Sequence, residues 1–353
     1  MTLETLGYNL EIERYRKENN LDSFGVGRVI AEHRERYIVK ISEGEYEGEV
    51  IGNLRFTASS RSDFPAVGDW VAISEYDDDK VLIHKIFPRK TVIERKSVGK
   101  QGEKQIIATN IDAALIVQSV NRDFNVNRIE RYLSIVNTSD IKPIILLNKT
   151  DLINNDKITA LVEIIKKRIP DVTILPVSNK SGQGIEELKA IIESGKTYCL
   201  LGSSGVGKSS LLNSLLGKPL IKTGEISDSS DRGKHVTTHR ELRVLDHGGI
   251  IIDNPGMREV GITDSSEGLE STFERILDLS KQCRFKDCTH TIESGCAVIA
   301  AVESGEIDNA SYENYLKMQR EKDHYESTIA EKRQKDKSFG KMVKNVMKHK
   351  NKY

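Results

Sequence analysis

Cysteine is scarce in this chain, with four in 353 residues, too few for a disulfide framework to hold a protein of this length. No run of 18 or more apolar residues occurs, so no membrane-spanning helix is expected. Net charge is lacking as well. Lys+Arg and Asp+Glu number 53 each, so no global field draws the chain to nucleic acid or an anionic membrane, and any such binding has to be local. The opening residues MTLETLGYNLEIERY have no basic-then-apolar leader pattern, which leads us to expect a cytoplasmic protein. No internal repeat is visible. The length exceeds one typical domain, and two or three are expected, each with its own core.

Short alternating runs fill the stretch from Phe24 to Arg95: GRVI, RYIVKI, GEYEGEVIG, DWVAISE and KVLIHKI. Five closely spaced strands fit an oligonucleotide/oligosaccharide-binding (OB) β-barrel. Such barrels often bind RNA, but residues 22–96 hold 12 Lys/Arg against 14 Asp/Glu. A structural or protein-docking barrel is therefore an open alternative. From Ile106 near-continuous apolar runs alternate with amphipathic segments: DAALIVQSV, NVNRIERYLSIVNTS, KPIILLN, KITALVEIIKKRI, VTILPVS, IEELKAIIESG and TYCLLG. That texture predicts a parallel α/β sheet, ending near residue 265. A Cys/His cluster and a polar helical tail follow. Residues 332–353 carry nine Lys/Arg and one Asp, read as a solvated helix or arm, with anionic partners as the functional alternative.

GSSGVGKSS follows the apolar strand TYCLL and precedes SLLNSLL, the strand-loop-helix setting of a phosphate-binding loop. Gly202, Ser203, Ser204, Gly205, Val206 and Gly207 would turn backbone N–H groups toward phosphate oxygens, helped by the positive end of the helix that Ser210 enters. Lys208 would reach the β and γ phosphates, and the Ser209 hydroxyl would coordinate Mg²⁺. NKTD caps the run IILL: the Asp151 carboxylate is placed to accept from the guanine ring N–H and exocyclic amine, a pattern adenine lacks. Asn148 would hold the loop, Lys149 would cover the base, and Thr150 lies between them and Asp151. The next strand is capped by VSNKSG, where Ser178, Asn179 and Lys180 match a second base-contacting loop. Together the three loops favour GTP over ATP. After GGIII comes DNPG, where Asp253 would hold Mg²⁺ through water and the Gly256 N–H would meet the γ phosphate. The polar stretch DRGKHVTTHRE between them is the expected first switch, with Thr237 or Thr238 closing over Mg²⁺. The order is base loop, second base loop, phosphate loop, first switch, second switch. This is a circular permutation of the usual P-loop GTPase.

CRFKDCTHTIESGC places Cys283, Cys288, His290 and Cys296 in a Cys-x4-Cys-x-His-x5-Cys pattern. Three thiolates and one imidazole form a closed tetrahedral set, typical of one structural Zn²⁺. Cys199, within the strand before the phosphate loop, is expected in the core.

An N-terminal barrel, a permuted GTPase with NKTD, GSSGVGKSS and DNPG in that order, and a closing Cys/His module resemble the RsgA (YjeQ) family of bacterial GTPases over nearly the whole chain. The likeness implies a multidomain fold: residues 1–97 as N-terminal extension and OB-fold barrel, 98–265 as circularly permuted GTPase domain, and 266–353 as zinc-binding helical module with a basic tail. It implies a monomer that hydrolyses GTP to GDP during late maturation of the small ribosomal subunit, binds its rRNA and is stimulated by the ribosome. It also implies a catalytic residue. Met257 stands where Ras-like enzymes have a water-orienting Gln, and the family's first-switch histidine aligns with His235, favoured over His239. The family usually has a third Thr where Val236 stands and commonly a Thr where Asn254 stands; neither change removes a named ligand, but Val236 leaves the choice of Mg²⁺ threonine open. A nucleotide-gated scaffold and an ATP-dependent kinase are the competing classes, and NKTD argues against the latter.

Overall fold

A computed structural model gives the fold and describes residues 2–33, 36–96, 104–219, 240–254 and 266–326. Helix α1 (Leu10–Glu18) precedes strands β1 (Gly25–His33), β2 (Arg36–Lys40) and β3 (Glu45–Val50), helix α2 (Gly52–Thr57), and strands β4 (Trp70–Asp77) and β5 (Lys80–Ile86). Alternating strand residues turn Val29, Tyr37, Val39, Val71, Val81 and Ile83 into one core, as the period of two requires. The strands pair β1-β2-β3-β5-β4, and β4 pairs back onto β1. This is the closed five-stranded barrel expected. Strands β6 (Val92–Lys96) and β7 (Lys104–Thr109) pair as a separate antiparallel ribbon, which the sequence pattern did not announce.

The α/β region continues with β8 (Ala113–Ser119), α3 (Val126–Asn137), β9 (Lys142–Asn148), α4 (Asn155–Arg168), β10 (Thr173–Pro176), α5 (Ile185–Ile191), β11 (Thr197–Leu201), α6 (Lys208–Leu216), β12 (Glu241–Val244) and β13 (Ile250–Asp253). Strands β10, β9, β8, β11 and β13 are parallel neighbours in that order, and β12 lies antiparallel on β13. Every residue of β8 is buried, as a central strand covered on both faces must be. Asn125 caps α3 by accepting from the Arg128 N–H, and Val126, Ile129, Leu133 and Val136 are buried at helical spacing.

A strand pairing and a buried arginine are among the contacts that join barrel and α/β sheet. Ala31 in β1 pairs with Glu241 in β12, so one sheet of eleven strands runs through both. Arg28, 1% exposed, donates through Nη2 to Thr197 Oγ1 at 2.9 Å, through Nε to the Gly68 carbonyl at 3.2 Å and through Nη1 to the Leu6 carbonyl. Burial lowers its pKa to about 10. A buried guanidinium survives there because protein acceptors replace its water.

The last part is helical: α7 (Ser266–Thr272), α8 (Glu274–Ser280), α9 (Ala297–Glu303) and α10 (Asn309–Glu326). Leu269, Phe273, Ile276, Val298, Tyr315 and Met318 form its core. Helix α7 lies close on α3 because Gly268 has no side chain: a Cβ there would sit 2.0 Å from the Ser134 carbonyl oxygen and 2.2 Å from Thr138 Oγ1. Since one obstacle is backbone, Gly268→Ala is expected to lower stability by about 3 kcal/mol, seen as a reduced urea midpoint. An unchanged midpoint would show that the α3–α7 contact yields easily. Among the described residues no helix is long and apolar enough to cross a membrane.

Candidate functional site: a nucleotide site and a Cys/His metal cluster

The loops after β9, β10 and β11 and the end of β13 all lie at the C-terminal edge of the parallel strands, where open α/β sheets bind ligands. The chain leaves β9 at Asn148 and enters a 3₁₀ turn, Thr150–Leu152, with Lys149 in the left-handed region at φ 65°. Buried Asn148 donates from Nδ2 to the Val206 carbonyl at 2.8 Å, and Lys149 Nζ donates to the Gly205 carbonyl at 2.7 Å. The base-reading motif and the phosphate-loop motif, more than fifty residues apart, are thus bonded directly to each other. Gly207 makes the approach possible: at φ 99°, a Cβ would lie 2.3 Å from Asn148 Nδ2.

The VSNKSG loop is bonded to the NKTD loop. Ser178 donates from Oγ to Asp151 Oδ1 at 2.6 Å, while the backbone N–H groups of Lys180 and Ser181 donate to Ser178 Oγ. Asn179 Nδ2 is 3.5 Å from Asn148 Oδ1. Thr150 is buried and donates to the Val177 carbonyl at 3.1 Å, with Gln183 Oε1 2.9 Å from the same hydroxyl. Asp151 therefore stands exposed, with one oxygen oriented by Ser178.

Gly202, Ser203, Ser204, Gly205, Val206 and Gly207 connect β11 to α6, whose first turn holds Lys208, Ser209 and Ser210. Lys208 is buried, and its ammonium donates back to the Gly202 and Ser203 carbonyls at 2.8 and 2.9 Å. Burial pushes its pKa down to about 8, opposed by Asp253. Burial in turn raises the Asp253 carboxyl, opposed first by Lys208. Asp253 Oδ2 is buried and without a hydrogen-bond partner. An orphaned carboxylate oxygen beside a buried ammonium suits a site completed by a cation with its water and by an anion. Cys199 is fully buried, accepts from Asn254 Nδ2, and burial raises its thiol pKa. It is core, as expected. His235, Thr237, Thr238, Gly256 and the neighbouring His239, Val236 and Met257, together with the basic tail, lie outside the described residues.

Cys283, Cys288, His290 and Cys296 converge, their ligand atoms all within 4.8 Å of one another. Cys283 Sγ is 3.6 Å from His290 Nδ1 and 3.8 Å from Cys296 Sγ, and His290 Nδ1 is 3.4 Å from Cys296 Sγ. A tetrahedron with metal–sulfur bonds of about 2.3 Å has sulfur–sulfur edges of about 3.8 Å. The cluster can hold a metal ion. His290 takes the left-handed conformation, φ 59°, which turns its ring back toward the thiols.

A family model described as RsgA GTPase matches residues 86–263, about half the chain. Small ribosomal subunit biogenesis GTPase RsgA 1 of Bacteroides thetaiotaomicron is 39% identical over 350 residues, covering 99% of this chain and 97% of that protein. The chain belongs to the RsgA GTPase family. RsgA 2 of Listeria monocytogenes is 44% identical over 324 residues, covering 91% and 89%. Among solved structures, YjeQ from Thermotoga maritima aligns with a TM-score of 0.62 at 28% identity, covering 84% of this chain and 98% of that one. YloQ, described as a circularly permuted GTPase, aligns at 0.60 with 25% identity, covering 86% and 97%. An ABC transporter model also matches residues 185–345, a span that includes the phosphate loop but excludes the NKTD of the RsgA order.

One residue at the RsgA site carries no motif: Gln183, whose Oε1 holds the Thr150 hydroxyl from beyond the VSNKSG stretch. A glutamine in a polar loop reads as surface, and only its partner, brought from the neighbouring strand's loop, distinguishes it.

Proposed function

We propose that this chain hydrolyses GTP to GDP and phosphate as a late assembly factor of the small ribosomal subunit, binding its rRNA and turning over faster when the subunit is present. One observation carries the guanine part: Asn148 bonds to Val206 and Lys149 to Gly205, so a base held by residues 148–151 has its phosphates on the loop that begins at Gly202. The relatives' name, small ribosomal subunit biogenesis GTPase, supports the ribosomal part. The natural setting is the cytoplasm, and the working form a monomer.

Asp151 accepts from the guanine edge, with Ser178 orienting it. Asn148 and Thr150 hold the loop, Lys149 covers the base, and Asn179 and Lys180 close the far side. On the phosphate side, Lys208 exchanges the Gly202 and Ser203 carbonyls for β- and γ-phosphate oxygens, regaining the full charge that burial opposes. Backbone N–H groups from Ser203 to Ser210 complete the cradle. Mg²⁺, held by Ser209, by Asp253 through water and by Thr237 or Thr238, would neutralise phosphate charge. Gly256 would donate to the γ phosphate, and His235 would orient the attacking water, because Met257 cannot. Three thiolates and an imidazole favour Zn²⁺ at Cys283, Cys288, His290 and Cys296, in a structural role because the set is closed. The proposed domains are 1–97, 98–265 and 266–353.

The test is turnover of GTP with and without purified small subunits, with ATP as competitor. We expect stimulation by orders of magnitude and no competition from ATP. Turnover unaffected by the subunit would remove the assembly role. Lys208→Ala is expected to weaken GTP binding at least about a hundredfold, since two charge-assisted bonds are lost. Near-normal affinity would contradict the phosphate-loop assignment.

A further inference from the structure

Gln183 holds both of the residues that fix Asp151. Its side-chain Oε1 lies 2.9 Å from the hydroxyl of Thr150, the residue just before Asp151 in the chain. Its main-chain carbonyl accepts at 2.9 Å from the N–H of Ser178, whose hydroxyl donates to Asp151 Oδ1 at 2.6 Å. The carboxylate is thus set from the backbone side through Thr150 and from the oxygen side through Ser178, and one residue ties the two together. Thr150 and Ser178 are buried, whereas Asp151 is exposed. Its direction depends on these supports.

The local backbone makes Gln183 a firm anchor. The loop before it is closed by the Gly182 N–H donating to the Ser178 carbonyl at 2.9 Å. Gly184, at φ 71°, turns the chain so tightly onto β10 that a Cβ there would lie 2.2 Å from the Pro176 carbonyl oxygen. Helix α5 starts at once, with Ile185 and Leu188 buried. The NKTD turn has weaker support of its own. Lys149 is left-handed, φ 65°, a conformation that a residue with a side chain adopts at a cost. The Thr150 N–H and hydroxyl converge on the same Val177 carbonyl, at 3.3 and 3.1 Å. The contact with Gln183 is shorter than either.

We propose that Gln183 is a positioning residue for guanine discrimination: its side chain holds the turn Thr150–Leu152 so that the Asp151 carboxylate meets both donors of the base edge at once. A carboxylate free to wander satisfies one donor in many orientations and two in few, because each bond is directional. Loss of the Gln183 contact therefore removes the second bond first. With it goes the advantage of guanine over a base that offers only one donor. The proposal rests on the reading of residues 148–151 as the base site and names the residue that sets its selectivity.

The test compares the affinities of GDP and of inosine diphosphate, which is GDP without the exocyclic amine, for the full-length parent chain and for Gln183→Ala. The ratio of the two affinities is expected to narrow about three- to tenfold, the scale of one hydrogen bond, because GDP loses affinity and inosine diphosphate loses little. A merely structural role would weaken both nucleotides alike and leave the ratio unchanged. In a Thr150→Val background, which removes the hydroxyl, Gln183→Ala is expected to narrow the ratio by less than about twofold more. With no nucleotide present, hydrogen exchange of the Leu152 and Ile153 amides, which donate to the Lys149 and Thr150 carbonyls, should quicken about three- to tenfold in Gln183→Ala. Gln183 is exposed, so the variant is expected to fold. An unchanged ratio, an equal narrowing with and without the Thr150 hydroxyl, or unchanged exchange would overturn the proposal. The guanine reading is checked separately by the parent alone. A parent indifferent to the exocyclic amine would refute that reading and this proposal with it, whereas a parent that prefers GDP and is matched by Gln183→Ala would overturn the proposal only.

Discussion

Asp151→Asn is expected to weaken GTP binding by about 10²–10⁴-fold and to give xanthosine triphosphate the better fit. The carboxylate can accept two hydrogen bonds from guanine, at the ring N–H and the exocyclic amine, each charge-assisted and worth about 1.5–3 kcal/mol. An asparagine retains one acceptor but presents N–H groups to the amine, donor against donor. Xanthine carries an oxygen where guanine has that amine, so the same N–H groups find an acceptor. Ser178 sharpens the expectation. Its hydroxyl donates to Asp151 Oδ1 and accepts from the N–H groups of Lys180 and Ser181, so an amide oxygen at residue 151 can keep that bond and leave its nitrogen toward the base. Competition binding of the two nucleotides to parent and variant measures the exchange directly. A variant with undiminished preference for GTP would remove Asp151 from base recognition. A loss of both nucleotides together would assign it to loop structure.

Much of this site is written locally. The turn from β11 into α6 is legible because its glycines, Lys208 and Ser209 sit between a buried strand and a helix with one buried face. The barrel strands are legible because period-two alternation places Val39, Val71 and Val81 inward whatever surrounds them. The permuted order of the loops also reads directly from the chain, since the sheet edge that gathers them does not depend on which connection is cut. What remained hidden depends on partners distant in sequence. Arg28 and Thr197 are 169 residues apart, and Glu130 and Asn314 are 184 apart. Each looks like an ordinary surface residue until the fold buries it. The β6–β7 ribbon was hidden for another reason. Its strands flank residues 97–103, where the texture changes from barrel to α/β, and a short charged strand such as VIERK resembles a linker. Helix α10 read as a polar tail because its charged residues outnumber the buried Tyr315 and Met318. One polar face of that helix is an interface, and periodicity of apolar residues gives no sign of it.

Removing the metal, by chelation or by Cys283→Ser with Cys288→Ser, is expected to unfold the loop from Cys283 to Cys296 and release α10 while the parallel sheet stays folded. A structural Zn²⁺ set contributes about 10 kcal/mol, comparable to the whole stability of a domain, about 5–15 kcal/mol. The helical module has little to replace it. Its core rests on a few side chains, among them Phe273, Val298 and Met318. The loop is polar and held across by the Arg284 N–H donating to the Gly295 carbonyl, with Ile292 91% exposed. The sheet is built differently, with Leu115, Ile116, Leu200, Leu201 and Ile252 fully buried in two large cores on its faces. Limited proteolysis should therefore cut first between Cys283 and Cys296, leaving a resistant fragment that begins before the barrel and includes α6. Stimulation of GTP turnover by the small subunit should disappear, because the module that would engage it no longer has a fixed shape. Affinity for GDP should fall less than about tenfold, because the loops at the edge of the parallel sheet are bonded to one another and, among the described residues, not to the helical module. A module that keeps its protease resistance after the metal is stripped would show that its helices, not the cluster, hold it together. GDP affinity lost completely would mean that the sheet itself depends on the metal.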